Sequence, residues 1–567
     1  MYGNNMKKNK SNMFNLIASI CFSMIATACS KGDAKPTPTP IPVVQLISTS
    51  ILLNDIDYSS TTYGVNTKPV FKLYFNTKVD KNTIANATSI ASSTGELASC
   101  NYTLTNGDSC LVVNTTSTLQ YLSKYSFQLN NTIKSSTGGV LSTSIARDFY
   151  TQIDSSRKFP TLTKDELLDK VQKQTLKYFW DFGHPVSGLA RERNTTPEVV
   201  TSGGSGFGIM AIVAGVNRGF VTRADGLSRM QTIVAFLKDK AQTFHGAYPH
   251  WLNGTTGAVI AFSPKDDGAD LVETSYLMQG LISAREYFSN TDASETKLRN
   301  DITSIYNRVE WSWFTKNNEN ILYWHWSPNY NWDMNMGIKG WNECLITYVM
   351  AASSSTYGIN ASVYKTGWSS GTNFINGNSY YGYKLPLGEA QGGPLFFSHY
   401  SFLGINPNNL SDAFANYTTQ TTNHSLINYN YCKSLKGGPA GYSDSVWGLT
   451  ACDIPNGYNA NSPTNDRGVI APTAALSSFP YTPNESMAAL QYYYYVLGDK
   501  LWKDYGFIDA FSLKDPWFAS SFLAIDQGPI IVMIENYRSG LFWNLFMNAP
   551  EVQSGLKKLG FSSPMLK

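Results

Sequence analysis

Charge is scarce in this sequence. Charged residues make up 15% of the 567 positions, and the formal net charge is only +3. A chain so nearly balanced lacks the strongly basic surface that nucleic acids require, so we expect no nucleic-acid partner. Hydrophobic residues (42%) are abundant enough for a globular protein, and the length suits two or three domains.

The motifs of several enzyme classes are also missing. No nucleophile elbow, the strand–turn–helix form of G-x-S-x-G, is predicted, which argues against a Ser–His–Asp hydrolase. The cysteines and histidines lack zinc-site spacing, so we expect no metal. The segment "TSGGSGFGIMAI" resembles a dinucleotide fingerprint, but no strand pattern precedes it and no suitably spaced acid follows. We therefore predict a protein without a cofactor.

The N-terminus has the pattern of an export signal. Lysines precede an apolar run from Met13 to Ile25, which ends at "ATACS" and is too short to span a bilayer comfortably. Cys29 follows small residues as in a bacterial lipobox, although Ala26 replaces the usual Leu. We interpret residues 1–29 as a lipoprotein signal peptide with lipidation at Cys29. The expected location is a bacterial membrane, on its periplasmic side or at the cell surface.

Composition divides the rest of the chain into three parts. Residues 30–43 form a Pro/Thr-rich linker, and residues 44–152 contain short alternating apolar runs that predict a small all-β Ig-like sandwich. Two local disulfides are plausible in an exported protein, Cys100 with Cys110 and Cys432 with Cys452. From 160 to 567 the apolar period is helical, which favours a mainly α fold, an (α/α)6 barrel.

Helix boundaries within that region follow from the same apolar period. Glycine- and proline-rich segments such as "TSGGSGFG" are expected to be loops between the helices. The predicted helices cover residues 163–182, 206–218, 226–240, 270–288, 296–313, 341–353, 484–498 and 529–547.

Acidic residues are crowded into one helix entrance, "KDDGADLVETSYLMQGL" at 265–281. Asp270 and Glu273 match a D-x-x-E capping arrangement, which would explain two of the acids structurally. If the helix began earlier, Asp266, Asp270 and Glu273 would share one helical face. In both versions carboxylates converge and raise one another's pKa values. Helix capping and acid–base chemistry both remain open at this point.

Two more acids stand at predicted helix starts. Glu343 begins an apolar helix beside Trp341, and Asp526 lies three residues before Pro529, a predicted first helical position. In a barrel of helical hairpins such acids would gather at one end of the central funnel. A helix N-terminus lowers a carboxyl pKa, whereas a general acid must hold its proton near neutral pH. Burial against Trp341 and nearby carboxylates would have to outweigh the dipole.

Aromatic residues make up 13% of the chain, enough for a large core or for a groove that stacks on sugar rings. Glu535 and Arg538 are spaced for an i, i+3 ion pair, and the charged loop 181–194 could face a groove or pair internally. Our candidates for substrate binding are His184, Arg191, Arg193, Trp251, Trp326, Trp341, Tyr442, Glu535 and Arg538.

Several segments together resemble one family. They include "YFWDFGHPVSGLARER", "GWNECLITYVMA", "APTAALSSFPYTPNES" and "DQGPIIVMIENYRSGLFW", in an order that runs from about 163 to 560. The chain resembles the glycoamylase-like domain and, more narrowly, glycoside hydrolase family 144, the bacterial β-1,2-glucanases. The resemblance implies an (α/α)6 barrel that hydrolyses β-1,2-glucan with inversion.

The resemblance also implies site residues. The family's acidic set matches Asp266, Asp270, Glu273 and Glu343, to which we add Asp526 as a further catalytic candidate. Glu343 is the expected general acid. The base stays open, because relatives relay a proton through a substrate hydroxyl.

The N-terminal sandwich is not part of the usual family core. It could block one end of the groove and convert endo cleavage into release of sophorose, or it could leave endo action intact. Two alternatives remain: a hydrolase of the same fold acting on another glucan linkage, and a non-catalytic surface glycan-binding protein. We expect a monomer whose partners are a β-glucan substrate and a membrane.

Overall fold

The computed structural model describes residues 39–567. The predicted signal peptide, Cys29 and most of the linker lie outside these residues, and residues 39–43 have no regular structure. Within residues 39–567, no helix combines the length and the apolar character needed to cross a membrane.

The first part of the described chain is built from short strands and one short helix, α1 (Ile84–Ala87). The strands are β1 (Ser48–Leu53), β2 (Ile56–Asp57), β3 (Thr62–Val65), β4 (Val70–Phe75), β5 (Thr88–Ser92), β6 (Cys100–Thr105), β7 (Cys110–Thr115), β8 (Lys124–Leu129) and β9 (Ile145–Thr151).

These strands form two sheets, with the orders β2-β1-β4-β7-β6 and β3-β9-β8-β5. Neighbours are antiparallel except for β3 and β9, which run parallel. Alternate residues of β4 are buried, as expected for a strand with one face on a core. That core is shared by both sheets: Phe71 of β4 stacks on Phe127 of β8 with ring centroids 4.5 Å apart. The strands lie where the alternating pattern predicted them.

The predicted disulfides are wrong. Cys100 and Cys110 each begin a strand of one antiparallel pair, in which Cys100 faces Thr115 and Cys110 faces Thr105. The two thiols therefore lie at opposite ends of the β6–β7 ladder. Cys432 and Cys452 are both buried as free thiols.

Helices dominate the rest of the chain. They are α2 (Lys164–Trp180), α3 (Ser202–Asn217), α4 (Arg223–Asp239), α5 (Leu271–Tyr287), α6 (Ala293–Asn307), α7 (Leu345–Ser353), α8 (Tyr417–Ser434), α9 (Pro472–Leu476), α10 (Pro483–Tyr495), α11 (Gly498–Leu501), α12 (Ala524–Ser539), α13 (Leu541–Asn548) and α14 (Pro550–Leu559). The predicted helix 529–547 is two helices, because Gly540 adopts a left-handed φ of 68° between α12 and α13.

The glycine-rich segment "TSGGSGFG" was predicted to be a loop, and this is wrong: α3 begins at Ser202 and contains its glycines. Close packing explains the composition. A Cβ atom at Gly206 would lie 2.1 Å from the carbonyl oxygen of Tyr276, and one at Gly280 would lie 2.2 Å from that of Gly206. Glycine thus allows α3 and α5 to pack backbone against backbone.

The helices of the central layer contact one another in sequence. α3 packs between α5 and α12, α5 packs on α7, and α7 packs on a short 3₁₀ segment, Tyr400–Leu403. α9 packs on α12, and the Tyr481 hydroxyl donates to the carbonyl of Ser398 at 2.8 Å, which joins the α9 region to Leu395–Ser398, the 3₁₀ segment just before Tyr400–Leu403. The amide of Gly203 on α3 reaches Glu273 on α5, so these helices begin at the same end.

Short paired strands lie between the helices along the chain. They are β10 (Val199–Thr201), β11 (Trp251–Asn253), β12 (Val259–Ile260), β13 (Ala269–Asp270), β14 (His325–Trp326), β15 (Ser379–Tyr380), β16 (Tyr383–Lys384), β17 (Ala451–Ile454), β18 (Gly457–Ala460), β19 (Trp502–Lys503), β20 (Gly506–Phe507), β21 (Phe511–Ser512) and β22 (Trp517–Phe518). In the β13–β14 pair, His325 lies directly opposite Asp270.

The β-rich part rests on the helical part. Leu122 and Ile153 pack against the core of the helical part, and the N–H of Lys158 donates to the carbonyl of Tyr495 at 2.7 Å. A cavity at this contact is lined by residues 120–123 on one side and by Pro516 and Phe518 of the β21–β22 hairpin on the other. The β7–β8 loop therefore lies next to a hairpin that begins two residues after Asp509.

Candidate active site

Asp270 caps helix α5, as the sequence predicted. Its Oδ1 accepts the amide N–H groups of Val272 at 3.0 Å and Glu273 at 2.9 Å. The reciprocal half of a capping box is not formed, because the Glu273 carboxylate instead accepts the N–H of Gly203 at 2.8 Å. The alternative of an earlier helix start is wrong, since Asp266 lies in the preceding loop.

Two histidines face these acids. Nδ1 of His250 lies 3.1 Å from Oδ2 of Asp270, and Nδ1 of His325 lies 3.4 Å from Oδ1 of Asp266. Burial opposes a charge on His250, but Glu273, Asp270 and Asp266 outweigh it and raise its pKa to about 9. His250 is therefore an imidazolium at neutral pH.

The same contacts affect the pKa values of Asp270 and Glu273. Burial opposes the charge on Asp270, yet its bond to His250 and the charge of His325 hold its pKa below the ordinary value. Burial raises the pKa of Glu273, and the neighbouring Asp270 adds to this. Asp270 is thus ionised, and both of its oxygens already have hydrogen-bond partners. This arrangement suits a stabilising negative charge rather than a proton donor.

Three of these residues could hold a cation. One ligand atom each from His250, Asp266 and Asp270 can be chosen so that all lie within 4.8 Å of one another. A metal needs the imidazole to be neutral, whereas the surrounding carboxylates keep it protonated. A cation and the His250 proton would therefore compete for the same place.

Glu343 differs from the other acids because no positive group among residues 39–567 acts on it. It lies in a turn just ahead of α7, whose N-cap is Cys344, and its side chain is half-buried. Burial raises its pKa, the charges of Glu273 and Asp270 add to this, and the resulting value is about 7. Glu343 therefore holds its proton in the range that a general acid needs.

A second group of acids surrounds Asp526. Helix α12 begins at Ala524, so the prediction that Pro529 is its first residue is wrong, but Asp526 still lies in its first turn. Asp509, between β20 and β21, accepts the N–H of Asp453 at 2.7 Å, and Nη1 of Arg193 lies 3.2 Å from Asp453. Burial raises the pKa of Asp509 to about 7, and burial with the charge of Asp509 raises that of Asp526.

The Tyr400 hydroxyl connects the two acidic groups. Burial raises its pKa first, and the charges of Asp526, Glu343 and Glu273 raise it further. One hydroxyl is therefore close enough to carboxylates of both groups for their charges to act on it. We call this cluster of side chains the acidic funnel; its members are Glu343, Asp266, Asp270, Glu273, Asp526, Asp509 and Tyr400.

Two of the nine predicted substrate-binding residues lie at this funnel. Arg193 pairs with Asp453 beside Asp526. The half-buried ring of Trp251 contacts His250 edge-on, with centroids 5.9 Å apart, and contacts the exposed Phe262 at 4.8 Å. Both are positioned near the rim, where a substrate could reach them.

Three others make local contacts instead. His184 is buried, and its Nδ1 accepts the N–H of Val186 at 3.3 Å within a turn. Arg191 stacks on Phe182 and donates to backbone carbonyls. Trp326 packs on Trp313, because alternate residues of β14 point to opposite sides and its neighbour His325 takes the funnel side.

The remaining four predicted binding residues are not at the funnel surface. Trp341 is 4% exposed and packs on Trp368 and Tyr417, so it offers no free face to a sugar. Tyr442 is buried, and its hydroxyl donates to Asp466 at 2.6 Å. Core packing accounts for both residues.

The predicted Glu535–Arg538 pair is also wrong. Glu535 is fully buried in the second half of α12 and binds Arg218 with an N–O distance of 2.7 Å. Arg538 pairs with Asp169 of α2 at 2.5 Å. Both residues connect α12 to its neighbours at the end of the helix remote from Asp526.

Sequence reasoning missed His250, His325, Asp509 and Tyr400. The histidines leave no local signal in the sequence, since 75 positions separate His250 from His325. They meet Asp270 through the two-residue pairing of β13 with β14 and through the start of β11, and such short pairings leave no periodic signal. Asp509 likewise lies in an unpatterned loop.

Comparison with known proteins places the chain in a family. The Glycoamylase family model matches residues 335–550. The chain is 46% identical over 433 residues to an exo β-1,2-glucooligosaccharide sophorohydrolase (non-reducing end) from Parabacteroides distasonis, an alignment that spans 72% of this chain. It covers 59% of that relative's own length.

Solved structures agree. An endo-β-1,2-glucanase from Chitinophaga pinensis, in complex with sophorotriose and glucose, has 50% identity and a TM-score of 0.70 over 72% of this chain and 100% of that one. A β-1,2-glucanase from Parabacteroides distasonis has 37% identity and a TM-score of 0.69 over 92% of this chain and 74% of that one. With this identity over the whole Chitinophaga enzyme, the chain belongs to the bacterial β-1,2-glucanases with a glycoamylase-like domain, glycoside hydrolase family 144.

Proposed function

We propose that this protein hydrolyses β-1,2-glucosidic linkages in β-1,2-glucan or its oligosaccharides by an inverting acid–base mechanism. The observation that carries the proposal is Glu343, a half-buried carboxyl with a pKa of about 7 that borders a funnel of carboxylates. The linkage is supported by the relatives, whose activities are exo and endo cleavage of β-1,2-glucans.

Glu343 acts as the general acid. It gives its proton to the glycosidic oxygen while the bond from that oxygen to the anomeric carbon breaks, and water attacks the carbon from the opposite face. The water's proton passes to a base, directly or through a substrate hydroxyl. Asp526 is our candidate, because no N–H or O–H group of residues 39–567 donates to its buried Oδ2 and its charge acts on the same Tyr400 hydroxyl as Glu343.

The ionised acids stabilise the positive charge that develops on the sugar during cleavage. The transition state of glycoside cleavage resembles an oxocarbenium ion, which nearby negative charge stabilises. Asp270 is held ionised by its two histidines, and it also raises the pKa of Glu343. One carboxylate therefore supports both the acid and the developing cation.

The architecture proposed with this function is an (α/α)6 barrel preceded by an Ig-like sandwich. The inner ring would consist of α3, α5, α7, the segment Leu395–Leu403, α9 and α12, and the contacts between successive members support it. The two sheets with a shared core support the sandwich. An experimental structure in which these six segments leave the ring open would contradict the barrel.

We favour release of sophorose over endo cleavage. The sandwich abuts the β21–β22 hairpin, which begins two residues after Asp509 at the funnel. A domain seated there would close one end of a substrate groove. In support, the Parabacteroides β-1,2-glucanase aligns with 92% of this chain, whereas the Chitinophaga endo enzyme aligns with 72%.

Export and lipidation at Cys29 are proposed from the N-terminal sequence, and we further propose that the anchored protein is a monomer. Cells expressing the full chain and fed a labelled fatty acid should incorporate label into this protein. The Cys29→Ser variant should remain unlabelled. Equal labelling of both proteins would contradict lipidation at Cys29.

Product analysis tests the function. Protein beginning at residue 31, incubated with linear β-1,2-glucan, should release sophorose from the start without intermediate oligosaccharides. NMR of fresh product should show the α-anomer first, because inversion turns a β linkage into an α product. Early oligosaccharides of many lengths would contradict exo action. Cleavage of other glucans but not of β-1,2-glucan would overturn the proposed linkage.

Substitution of the acid gives a second test. Glu343→Gln should lower kcat about 10²-fold or more, the usual contribution of a general acid, at an unchanged Tm. In the unsubstituted enzyme kcat should fall as the pH rises through about 7, because Glu343 then loses its proton. The control is Glu319→Gln, an exposed side chain that binds Tyr323 and should leave kcat unchanged. Full activity of Glu343→Gln would remove Glu343 as the acid.

A further inference from the structure

Phe262 is an exposed aromatic residue whose ring packs on His250. The two ring centroids are 4.2 Å apart, and the ring planes differ by 23°. Nδ1 of His250 in turn lies 3.1 Å from Oδ2 of Asp270, an acid of the funnel. Despite its contact with His250, Phe262 is 49% exposed. One face of the phenyl ring therefore lies on the imidazole, while much of the side chain stays in contact with water.

Trp251 lies beside the phenyl ring and not over its second face. The ring centroids of Trp251 and Phe262 are 4.8 Å apart, and those of Trp251 and His250 are 5.9 Å apart. Two rings on opposite faces of Phe262 would lie much farther from each other than 5.9 Å, because the phenyl ring would separate them. Together with the exposure of Phe262, this geometry leaves the second face of its ring open to solvent.

The loop that carries Phe262 is bonded to its surroundings. The N–H of Phe262 donates to the carbonyl of Asp266 at 2.9 Å, and the N–H of Asp266 donates to that of Ser263 at 3.0 Å. The side-chain amide of Asn329 donates to Oδ2 of Asp267 at 2.7 Å. These bonds fix the position of the phenyl ring relative to Asp266. The open face is therefore held in place beside the funnel.

A carbohydrate matches this combination of groups. A single exposed apolar side chain is ordinary on a protein surface. Here, however, an open aromatic face lies close to carboxylates, which accept hydrogen bonds. A glucosyl ring has C–H groups on its two faces and hydroxyl groups around its edge, so it can stack on an aromatic ring while its hydroxyls donate to acids. Phe262 and the funnel acids supply both parts of such a site.

We propose that the open face of Phe262 binds a glucosyl residue of the substrate by stacking on the C–H groups of that sugar. The stacked sugar lies next to the His250–Asp270 pair, with hydroxyl groups directed toward the carboxylates. Phe262 thereby contributes to substrate affinity, and it takes no part in proton transfer. The identity of the sugar rests on the proposed function, whereas the stacking is measurable without hydrolysis.

Titration calorimetry with sophorotriose tests the stacking. The measurement uses the Glu343→Gln protein, so that the ligand is not cleaved. Adding Phe262→Ala should raise the Kd about 10-fold, the scale of one aromatic contact. Adding Phe262→Tyr, which keeps the aromatic face, should leave the Kd within about 2-fold. The Tm of the Phe262→Ala protein should stay close to that of its parent, because the side chain is already half in solvent.

The matched control is Tyr537→Ala. Tyr537 is 44% exposed, its ring contacts Phe479, and it lies at the end of α12 remote from Asp526. Its removal should leave the Kd unchanged. An unchanged Kd in Phe262→Ala would overturn the proposal, and so would an equal loss of affinity in Phe262→Tyr and Phe262→Ala. Failure of the Glu343→Gln protein to bind sophorotriose would overturn it as well.

Kinetics separate stacking from an indirect effect through His250. In the otherwise unsubstituted enzyme, Phe262→Ala should raise KM for β-1,2-glucan about 10-fold with little change in kcat, because the stacking is lost equally from the bound substrate and the transition state. A lower kcat at unchanged KM would contradict stacking. If the wild-type protein hydrolyses no β-1,2-glucan, the proposed function fails, while the calorimetry still decides whether a sugar stacks on Phe262.

Discussion

The structure depends on one constraint: several carboxyl groups converge at the N-termini of helices, out of water, where like charges repel strongly. The repulsion between the carboxylates is offset differently in each group. At α5, His250 and His325 supply positive charge to Asp270 and Asp266. At α12, Arg193 is shared among several acids. Among residues 39–567 no positive group acts on Glu343, and burial raises its pKa to about 7, which is why we propose it as the proton donor.

Backbone packing brings these acids together. A Cβ atom at Gly203 would lie 2.4 Å from Oε2 of Glu273, so a residue without a side chain is needed where the α3 amide meets that carboxylate. Farther along the same two helices, Gly206 and Gly280 allow backbone contact. Gly203 therefore lets the Glu273 carboxylate reach the α3 backbone, and Gly206 lets α5 pack closely on α3. Both roles favour glycine over residues with a higher helix propensity.

Sequence reasoning predicted what periodicity and local chemistry encode. The helices flanking the site, the strands of the two N-terminal sheets and the Asp270 cap all leave short-range signals. Residues that act through long-range contacts could not be predicted in this way. The Glu535–Arg538 spacing fits an ion pair, yet each side chain found a partner on another helix. The glycine-rich start of α3 looked like a loop because its close helical neighbour is distant in sequence.

Direct titration of Glu343 tests the central claim, that this carboxyl keeps its proton because burial and the charges of Glu273 and Asp270 raise its pKa. The measurement is carboxyl NMR on protein labelled at glutamate, with the Glu343 signal assigned by its loss in Glu343→Gln. We expect that signal to titrate with a pKa of about 7. We also expect Asp270→Asn to lower this pKa, since the charge of Asp270 helps to raise it. A Glu343 signal that titrates in the ordinary glutamate range would contradict the account.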